Sequence, residues 1–119
     1  MKKNTQHFVV EETQTAHALG SGELEVLATP ALAAMIENTC MKSVEQELSD
    51  GETTVGTLLN LSHRRPSKVG QEITVQTELI EKTEKLMNFS FQAFMKDILI
   101  SEGTHQRAIV KIEPFLKRI

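Results

Sequence analysis

The spacing of hydrophobic and polar positions changes once along this chain, from the spacing of a helix to that of strands. Between residues 29 and 50, small and apolar side chains fall on one arc of a helical wheel: Leu32, Ala33, Ile36, Cys40, Ser43 and Val44. This spacing predicts an amphipathic helix with one buried face. We expect Thr29 to cap the helix, Pro30 to occupy its first turn, and residues 49–51 to end it.

Most of the remaining chain has the pattern of β-strands. A β-prone run at residues 8–10 predicts a first strand, and residues 52–62 predict a second strand that contains Gly56. The segments 71–82 and 86–95 alternate, with one apolar face each: Ile73, Val75, Thr77 and Leu79, then Met87, Phe89, Phe91, Ala93 and Met95. Residues 98–112 predict a last strand with a bend near Gly103, followed by a short tail.

This order of elements predicts the α+β fold class. One helix cannot lie on both faces of so many strands, but an antiparallel sheet that curves around one long central helix buries both. The length of 119 residues predicts a single domain over residues 1–119. Since pairing with a second copy protects a sheet edge, we expect at least a homodimer.

Composition narrows the classes of function. The net charge of -3 argues against a nucleic-acid partner, because binding to a phosphate backbone needs a basic surface. No run approaches the ~20 apolar residues of a membrane span, and the first residues lack the apolar run of a signal peptide. We therefore expect a cytoplasmic protein with no membrane partner. Cys40 is the single cysteine and no histidine pair has helical i,i+4 spacing, so we predict no disulfide and no metal.

Glu37 interrupts the buried face of the predicted helix. On the wheel it lies beside Ala33, Met41 and Val44, which are apolar or small. A buried, unpaired carboxylate is costly, so Glu37 should have a partner or titrate abnormally, which would indicate a functional site. Alternatively, it lies at the edge of the buried arc and reaches water.

His63 is the histidine whose position most suggests chemistry, because it ends the strand that contains Gly56. An imidazole transfers protons near neutral pH, and Glu37 could orient it or activate a water. A hydroxyl at Thr29 could act as a nucleophile. From spacing alone, a capping threonine, an edge glutamate and a surface histidine explain the same residues. His105 is either structural or part of the site.

Three blocks of sequence carry a family resemblance: VLATPALAAMIENTC, TTVGTLLNLSHRRPSKVG and GTHQRAIV. In order and spacing over roughly residues 22–112, they resemble the hotdog-fold thioesterases, in particular the fluoroacetyl-CoA thioesterase group. The resemblance implies a hotdog fold, with an antiparallel sheet wrapped around one long central helix. It also implies an enzyme that hydrolyses an acyl-CoA thioester to free acid and CoA, with no cofactor beyond the CoA of its substrate.

The resemblance also implies roles for individual residues. Thr29, Glu37 and His63 correspond to the catalytic threonine, glutamate and histidine of the group, and Gly56 to the glycine whose N–H holds the thioester oxygen. Arg107 matches a late arginine near the site, and His105 stands two positions before it. The family dimer, or a dimer of dimers, carries its sites at the subunit interface, so Glu37 is expected to meet His63 of a second copy.

Three basic residues follow His63 closely: Arg64, Arg65 and Lys68. Such a cluster suits the phosphates of CoA, and solvated surface charge is the alternative for each residue.

One departure from the group concerns the acyl pocket. The fluoroacetyl-CoA enzyme is known for an aromatic lid over this pocket, whereas residues 16–26 contain no aromatic residue. The resemblance therefore implies thioester chemistry without implying recognition of fluoroacetate. Two other functions stay open from the sequence, namely a hotdog hydratase or dehydratase and a non-catalytic protein that binds acyl-CoA.

Overall fold

A computed structural model describes residues 2–119 of the chain. Its elements, in chain order, are β1 (Lys3–Val9), α1 (Ala16–Leu19), α2 (Thr29–Ser43), β2 (Glu52–His63), β3 (Glu72–Lys82), β4 (Leu86–Met95), β5 (Ile98–Lys111) and α3 (Ile112–Lys117). The predicted order of one long helix between strands is confirmed. The segment before α2 contains the short helix α1, and the predicted tail contains the short helix α3.

The long helix α2 ends earlier than predicted, at Ser43 rather than near residue 50. The Ser43 hydroxyl donates to the Cys40 carbonyl at 2.7 Å, and Val44 leaves the helical region with φ −119°. A 3₁₀ turn at Glu45–Glu47 follows. The helical spacing of apolar residues in the sequence extends past the end of α2 because Val44 is buried, although its backbone is no longer helical.

The five strands form one antiparallel sheet in the order β1-β3-β4-β5-β2. Strands β1 and β2 are therefore its two edges. Helix α2 packs on one face of this sheet and contacts β1, β2, β3 and β4. This is the architecture that the resemblance implies.

The core lies between α2 and the sheet. Its fully buried large side chains include Leu32 and Ile36 from the helix, and Ile73, Val75, Met87 and Phe89 from the strands. All the residues predicted for the inner faces of β3 and β4 are buried except Met95, which is half-buried. Burying one such side chain stabilises the fold by roughly 1.5–3 kcal/mol. Over residues 2–119, no helix is both long and apolar enough to cross a membrane.

Strand β2 carries an irregularity that matters for the site. Its pairing with β5 shifts between Gly56 and Leu58, as in a β-bulge with Thr57 as the extra residue. Gly56 lies opposite Arg107 and His63 lies opposite Ser101, and both of these β5 side chains are buried. Directly opposed residues share a face, so the bulge brings Gly56 and His63 to the face that α2 covers.

Candidate active site

Thr29 and His63 form the most direct contact between predicted site residues. Thr29 Oγ1 lies 2.8 Å from His63 Nδ1. The expected capping role of Thr29 is wrong: α2 begins at Thr29 itself, and the N-cap is Ala28, whose backbone is extended. An N-cap residue precedes the helical backbone, so Thr29 stands one position too late to cap the helix. Its hydroxyl is directed to the imidazole.

The environment of His63 favours its neutral form. Burial lowers the pKa of His63 below its ordinary value of 6.5. A neutral imidazole has one ring nitrogen that accepts a proton and one that carries it. With Nδ1 facing the Thr29 hydroxyl, this pair has the arrangement of a nucleophile beside its base.

A cavity of about 340 Å³ opens over this pair. It is lined by Thr29 and His63, by Ala16, Ser21, Val26 and Leu27 from the segment before α2, and by Arg64, Arg65 and Pro66. The Gly-Ser-Gly sequence at residues 20–22 thus lies near the start of α2, and its Ser21 lines the cavity. Gly20 ends α1 in the left-handed conformation, φ +76°, which turns the chain back over the cavity.

The three basic candidates are separated by the fold. Arg64 and Arg65 line the Thr29–His63 cavity. Arg64 also pairs with Glu102 at 2.7 Å, which fixes its guanidinium at the rim. Lys68 lines a different depression beside Glu12 and Glu25, whose charges are unfavourable for a phosphate. The structure therefore brings two of the three to the cavity.

Glu37 and Gly56 lie together further along α2 and β2. A Cβ atom built on Gly56 would lie 2.7 Å from Glu37 Oε2, so the carboxylate occupies the space that a side chain at position 56 would need. The Glu37 side chain is 40% exposed. It therefore lies at the edge of the buried arc, against the backbone of the β2 edge strand.

Arg107 and His105 build the floor beneath Gly56. Arg107 is only 6% exposed, and it donates from Nε to Thr54 Oγ1 at 2.8 Å and from Nη2 to the Thr54 carbonyl at 3.0 Å. Its Nη1 lies 3.1 Å from His105 Nε2, and His105 Nδ1 lies 2.8 Å from the Leu58 carbonyl. The two side chains thus tie together residues 54 and 58 of β2, on either side of Gly56.

These contacts assign the protonation state of His105. Only a ring with its proton on Nδ1 donates to the Leu58 carbonyl and accepts from Arg107 at Nε2. Burial lowers the pKa of His105, which agrees with this neutral tautomer. Glu37 Oε2 lies 3.8 Å from His105 Nε2, but a neutral ring makes no ion pair there. Of the two side chains, Arg107 carries the positive charge near the Glu37 carboxylate.

Within one chain, the predicted site residues form two groups. Thr29 and His63 make up the first, which we call the threonine–histidine pair. Glu37 and Gly56, above Arg107 and His105, make up the second, which we call the glutamate–glycine group. Gly56 and His63 lie seven steps apart along an extended strand, a distance of about 20 Å at the usual rise of a strand.

Comparisons with known proteins show the family to which the chain belongs. Residues 10–113 match the FlK family, described as fluoroacetyl-CoA-specific thioesterase. The chain belongs to this family. A fluoroacetyl-CoA thioesterase from Streptantibioticus cattleyicolor is 27% identical over 95 residues, which cover 80% of this chain and 68% of the relative. The members of this family are thioesterases, so the chain is a thioester hydrolase.

Two solved structures of the fluoroacetyl-CoA thioesterase FlK are similar over nearly the whole chain. One, described as revealing the basis of its activity and substrate specificity, is 26% identical, covers 98% of this chain and 91% of its own, and superposes with a TM-score of 0.93. A variant in complex with fluoroacetate and CoA is 27% identical, with 96% of both chains covered and a TM-score of 0.91. These similarities confirm the hotdog fold.

Two features of this FlK-family site were not predicted from the sequence. Thr54 holds Arg107 through its hydroxyl and its carbonyl, and the Leu58 carbonyl holds His105. The sequence did not indicate a role for Thr54 at the site, because threonine is common in strands. The Leu58 carbonyl is a backbone group and leaves no trace in the sequence. Gly56 did give a signal, as a glycine inside a strand.

Proposed function

We propose that this protein hydrolyses small acyl-CoA thioesters to the free acid and CoA, at sites that two copies of the chain share. The observation that carries this proposal is the 2.8 Å contact between Thr29 Oγ1 and His63 Nδ1 beneath a cavity. Because a hydroxyl beside a neutral imidazole is an arrangement for nucleophilic attack on a carbonyl, the contact fits the hydrolase activity of the family.

In this proposal, Thr29 is the nucleophile and His63 its base. The Thr29 oxygen attacks the thioester carbon while His63 Nδ1 takes the hydroxyl proton. The carbon–sulfur bond then breaks, and His63 returns the proton to the departing CoA thiolate. Water, deprotonated by the same imidazole, then attacks the acyl-threonine. The bond between the acyl carbon and Thr29 Oγ1 breaks, the imidazole returns the proton to Thr29, and the acid is released. Direct attack by a water that Glu37 activates is the second route, and it needs no acyl-enzyme.

The glutamate–glycine group would supply the other half of the site. The backbone N–H of Gly56 would face the carbonyl oxygen of the thioester and stabilise the oxyanion as it forms. In other enzymes such a donor contributes about 3 kcal/mol. Glu37 occupies the space beside Gly56, where it would orient the attacking water. Since about 20 Å separates this group from His63 of its own chain, we assign it to His63 of a second copy.

The edge strand β2 suggests how two copies assemble. If two copies of β2 pair in antiparallel fashion around a twofold axis at Asn60, Leu59 of one opposes Leu61 of the other. His63 then opposes the Gly56–Thr57 bulge of the second copy. Both groups lie on the helix-covered face, so this register keeps them together. The exposure of Leu58, 62%, also supports a covered edge.

The CoA part of the substrate would extend past the rim of the cavity. Arg64 and Arg65 line that rim and suit the CoA phosphates, whereas Lys68 is not part of this proposal because it faces Glu12 and Glu25. A solved complex of the similar enzyme FlK with fluoroacetate and CoA supports recognition of CoA by a chain of this fold.

The acyl group would fit in the 340 Å³ cavity. Its lining includes Ala16, Val26, Leu27 and Pro66, but no aromatic residue. Such a lining accepts small aliphatic acyl groups and offers no aromatic contact to a fluoroacetyl group. We therefore expect acetyl-, propionyl- and butyryl-CoA to be hydrolysed at least as well as fluoroacetyl-CoA.

The first experiment measures release of free thiol from a graded panel of acyl-CoA thioesters. Hydrolysis predicts stoichiometric CoA. A hotdog hydratase or dehydratase would change the acyl chain and release no thiol, and a non-catalytic binding protein would bind the panel without releasing thiol. Either of these results would overturn the proposal.

The second experiment tests the shared site by mixing two inactive variants, Glu37→Gln and His63→Ala. A mixed dimer contains one intact site, built from Glu37 of one chain and His63 of the other. Random exchange of subunits should therefore restore about a quarter of wild-type activity. If each site lay within one chain, no mixture would recover activity.

Light scattering of the wild type measures the size of the assembly, and it distinguishes a dimer from a dimer of dimers. The cytoplasmic location stays a prediction.

A further inference from the structure

We propose that Ser101 positions His63 by accepting a hydrogen bond from its Nε2–H, directly or through one water. This inference rests on the proposed function, since it adds a third residue to the threonine–histidine pair. Ser101 lies on β5, directly opposite His63 on β2.

Two buried atoms without a partner carry the inference. His63 Nε2 and Ser101 Oγ are both inaccessible to solvent, and neither has a hydrogen-bond partner within residues 2–119. Buried polar atoms in folded proteins are paired with few exceptions, because leaving one unpaired costs the loss of its hydration. Two such atoms on opposed residues therefore call for a common explanation.

The register brings the two side chains within reach of each other. Directly opposed residues of antiparallel strands place their Cβ atoms about 4.5–5.5 Å apart on one face. Ser101 also opposes Ala93 of β4, whose side chain is fully buried, so Ser101 points to the helix side like His63. A rotation of the Ser101 hydroxyl about χ1, or a single bridging water, joins the two atoms.

The chemistry of His63 requires such an acceptor. When Nδ1 accepts the Thr29 hydroxyl proton, the ring proton of the neutral base lies on Nε2. An acceptor at Nε2 selects this tautomer and stabilises the imidazolium that forms during attack. The Ser101 hydroxyl would do both without adding a charge to the site.

Within one chain the charged groups around His63 do not supply this acceptor, and Glu37 of a second copy does not reach Nε2, because that atom is already buried inside the chain. Arg64 and Arg65 follow it on the chain and line the same cavity, but their side chains are donors. A contact with the Arg65 backbone raises the pKa of His63, against the larger effect of burial, and it leaves Nε2 without a hydrogen bond. Glu102, the carboxylate next to Ser101, is paired with Arg64. Helix α2 contributes Thr29, which already faces Nδ1.

The experiment compares Ser101→Ala with two control variants, Thr77→Ala and Ser67→Ala. All three remove a buried hydroxyl that has no partner. Ser67→Ala makes the same chemical change as Ser101→Ala, whereas Thr77→Ala also removes a methyl group. For Ser101→Ala we expect kcat to fall about tenfold with KM within about twofold of wild type. We also expect the acid limb of kcat/KM to move to lower pH, because the imidazolium loses its acceptor. Both controls should stay within about twofold.

A readout independent of activity is the ¹⁵N spectrum of the imidazoles. Only four histidines are present, and His63→Ala identifies the His63 signals. Wild type should show a dominant Nε2–H tautomer, and Ser101→Ala a mixture of tautomers. An unchanged spectrum, or an equal effect of Ser67→Ala, would overturn the role of Ser101. If the wild type released no thiol from any acyl-CoA, the proposed function would fail instead, while the spectrum would still decide the position of the proton.

Discussion

Thr29 Oγ1 and His63 Nδ1 lie 2.8 Å apart although 34 positions separate the two residues in the chain. The contact joins the first residue of the long helix α2 to the last residue of the edge strand β2. A side chain that the sequence predicted to be a helix cap is instead directed to an imidazole. A mutation of Thr29 should therefore be able to change the activity without changing the stability of α2.

Replacing Thr29 with valine should remove activity and spare the fold. Valine keeps the shape of threonine and removes the hydroxyl, so we expect kcat to fall at least about 100-fold. Because Thr29 caps no N–H group, the free energy of unfolding should fall by less than about 1 kcal/mol. Urea unfolding and thiol release measure the two quantities. Thr29→Ser, which keeps the hydroxyl, is the control, and full activity in the valine variant would exclude Thr29 as nucleophile.

Replacing Gly56 with alanine should act through Glu37. The new methyl group would lie 2.7 Å from Glu37 Oε2 and would push the carboxylate away. We expect a loss of kcat of at least about tenfold, and little further loss when Glu37→Ala is added to Gly56→Ala. The double-mutant cycle, measured by thiol release, checks this. Fully additive losses would mean that the two residues act independently.

Arg107→Lys should reduce stability, because a lysine reproduces few of the contacts of the arginine. The guanidinium donates twice to Thr54 and contacts His105, whereas an ammonium cannot reach all of these groups together. We expect the free energy of unfolding to fall by about 2 kcal/mol or more, measured in urea. Loss of activity with unchanged stability would contradict this structural role and favour direct contact with substrate.

Acidification should destabilise the protein through its buried histidines. Burial lowers the folded-state pKa of both His63 and His105, so below about pH 6.5 the unfolded chain binds more protons than the folded one. This part of the stability is fully present above that pH and is lost as the pH falls towards the folded-state pKa values.

The His105→Gln variant provides the matched test of this pH dependence. Its amide keeps a donor for the Leu58 carbonyl and an acceptor for Arg107, but it does not titrate. The slope of unfolding free energy against pH should therefore be smaller below pH 6.5 in this variant. Urea unfolding at several pH values measures it, and a slope equal to that of the wild type would remove His105 from the explanation.

The strand pattern was predictable from sequence because one face of each central strand is buried. Ile73, Val75, Met87 and Phe89 alternate with polar residues, and the structure confirms their faces. The end of α2 was not predictable, since Val44 is buried with or without a helical backbone. Periodicity reports burial, and burial extends past the end of the helix.

The grouping of the candidate residues depends on properties that sequence does not carry. Spacing suggested Thr29, Glu37 and His63 as one set, but the chain separates Glu37 from the other two. The bulge after Gly56 and the registers of β2 set which residues face the helix, and both depend on contacts across the sheet. The floor of Thr54, Arg107 and His105 is likewise formed by side chains from two neighbouring strands.

Gly103 of β5 imposes a separate condition on this architecture. A Cβ atom there would overlap the carbonyl oxygen of Asn60 on β2 and press on the ring of Phe91 on β4. Backbone atoms cannot step aside as a flexible side chain does, so any larger residue would force the edge strand outward. Asn60 is also where we place the twofold axis, so a methyl group at position 103 should weaken assembly of the dimer from inside the sheet, without touching the surface where the copies meet.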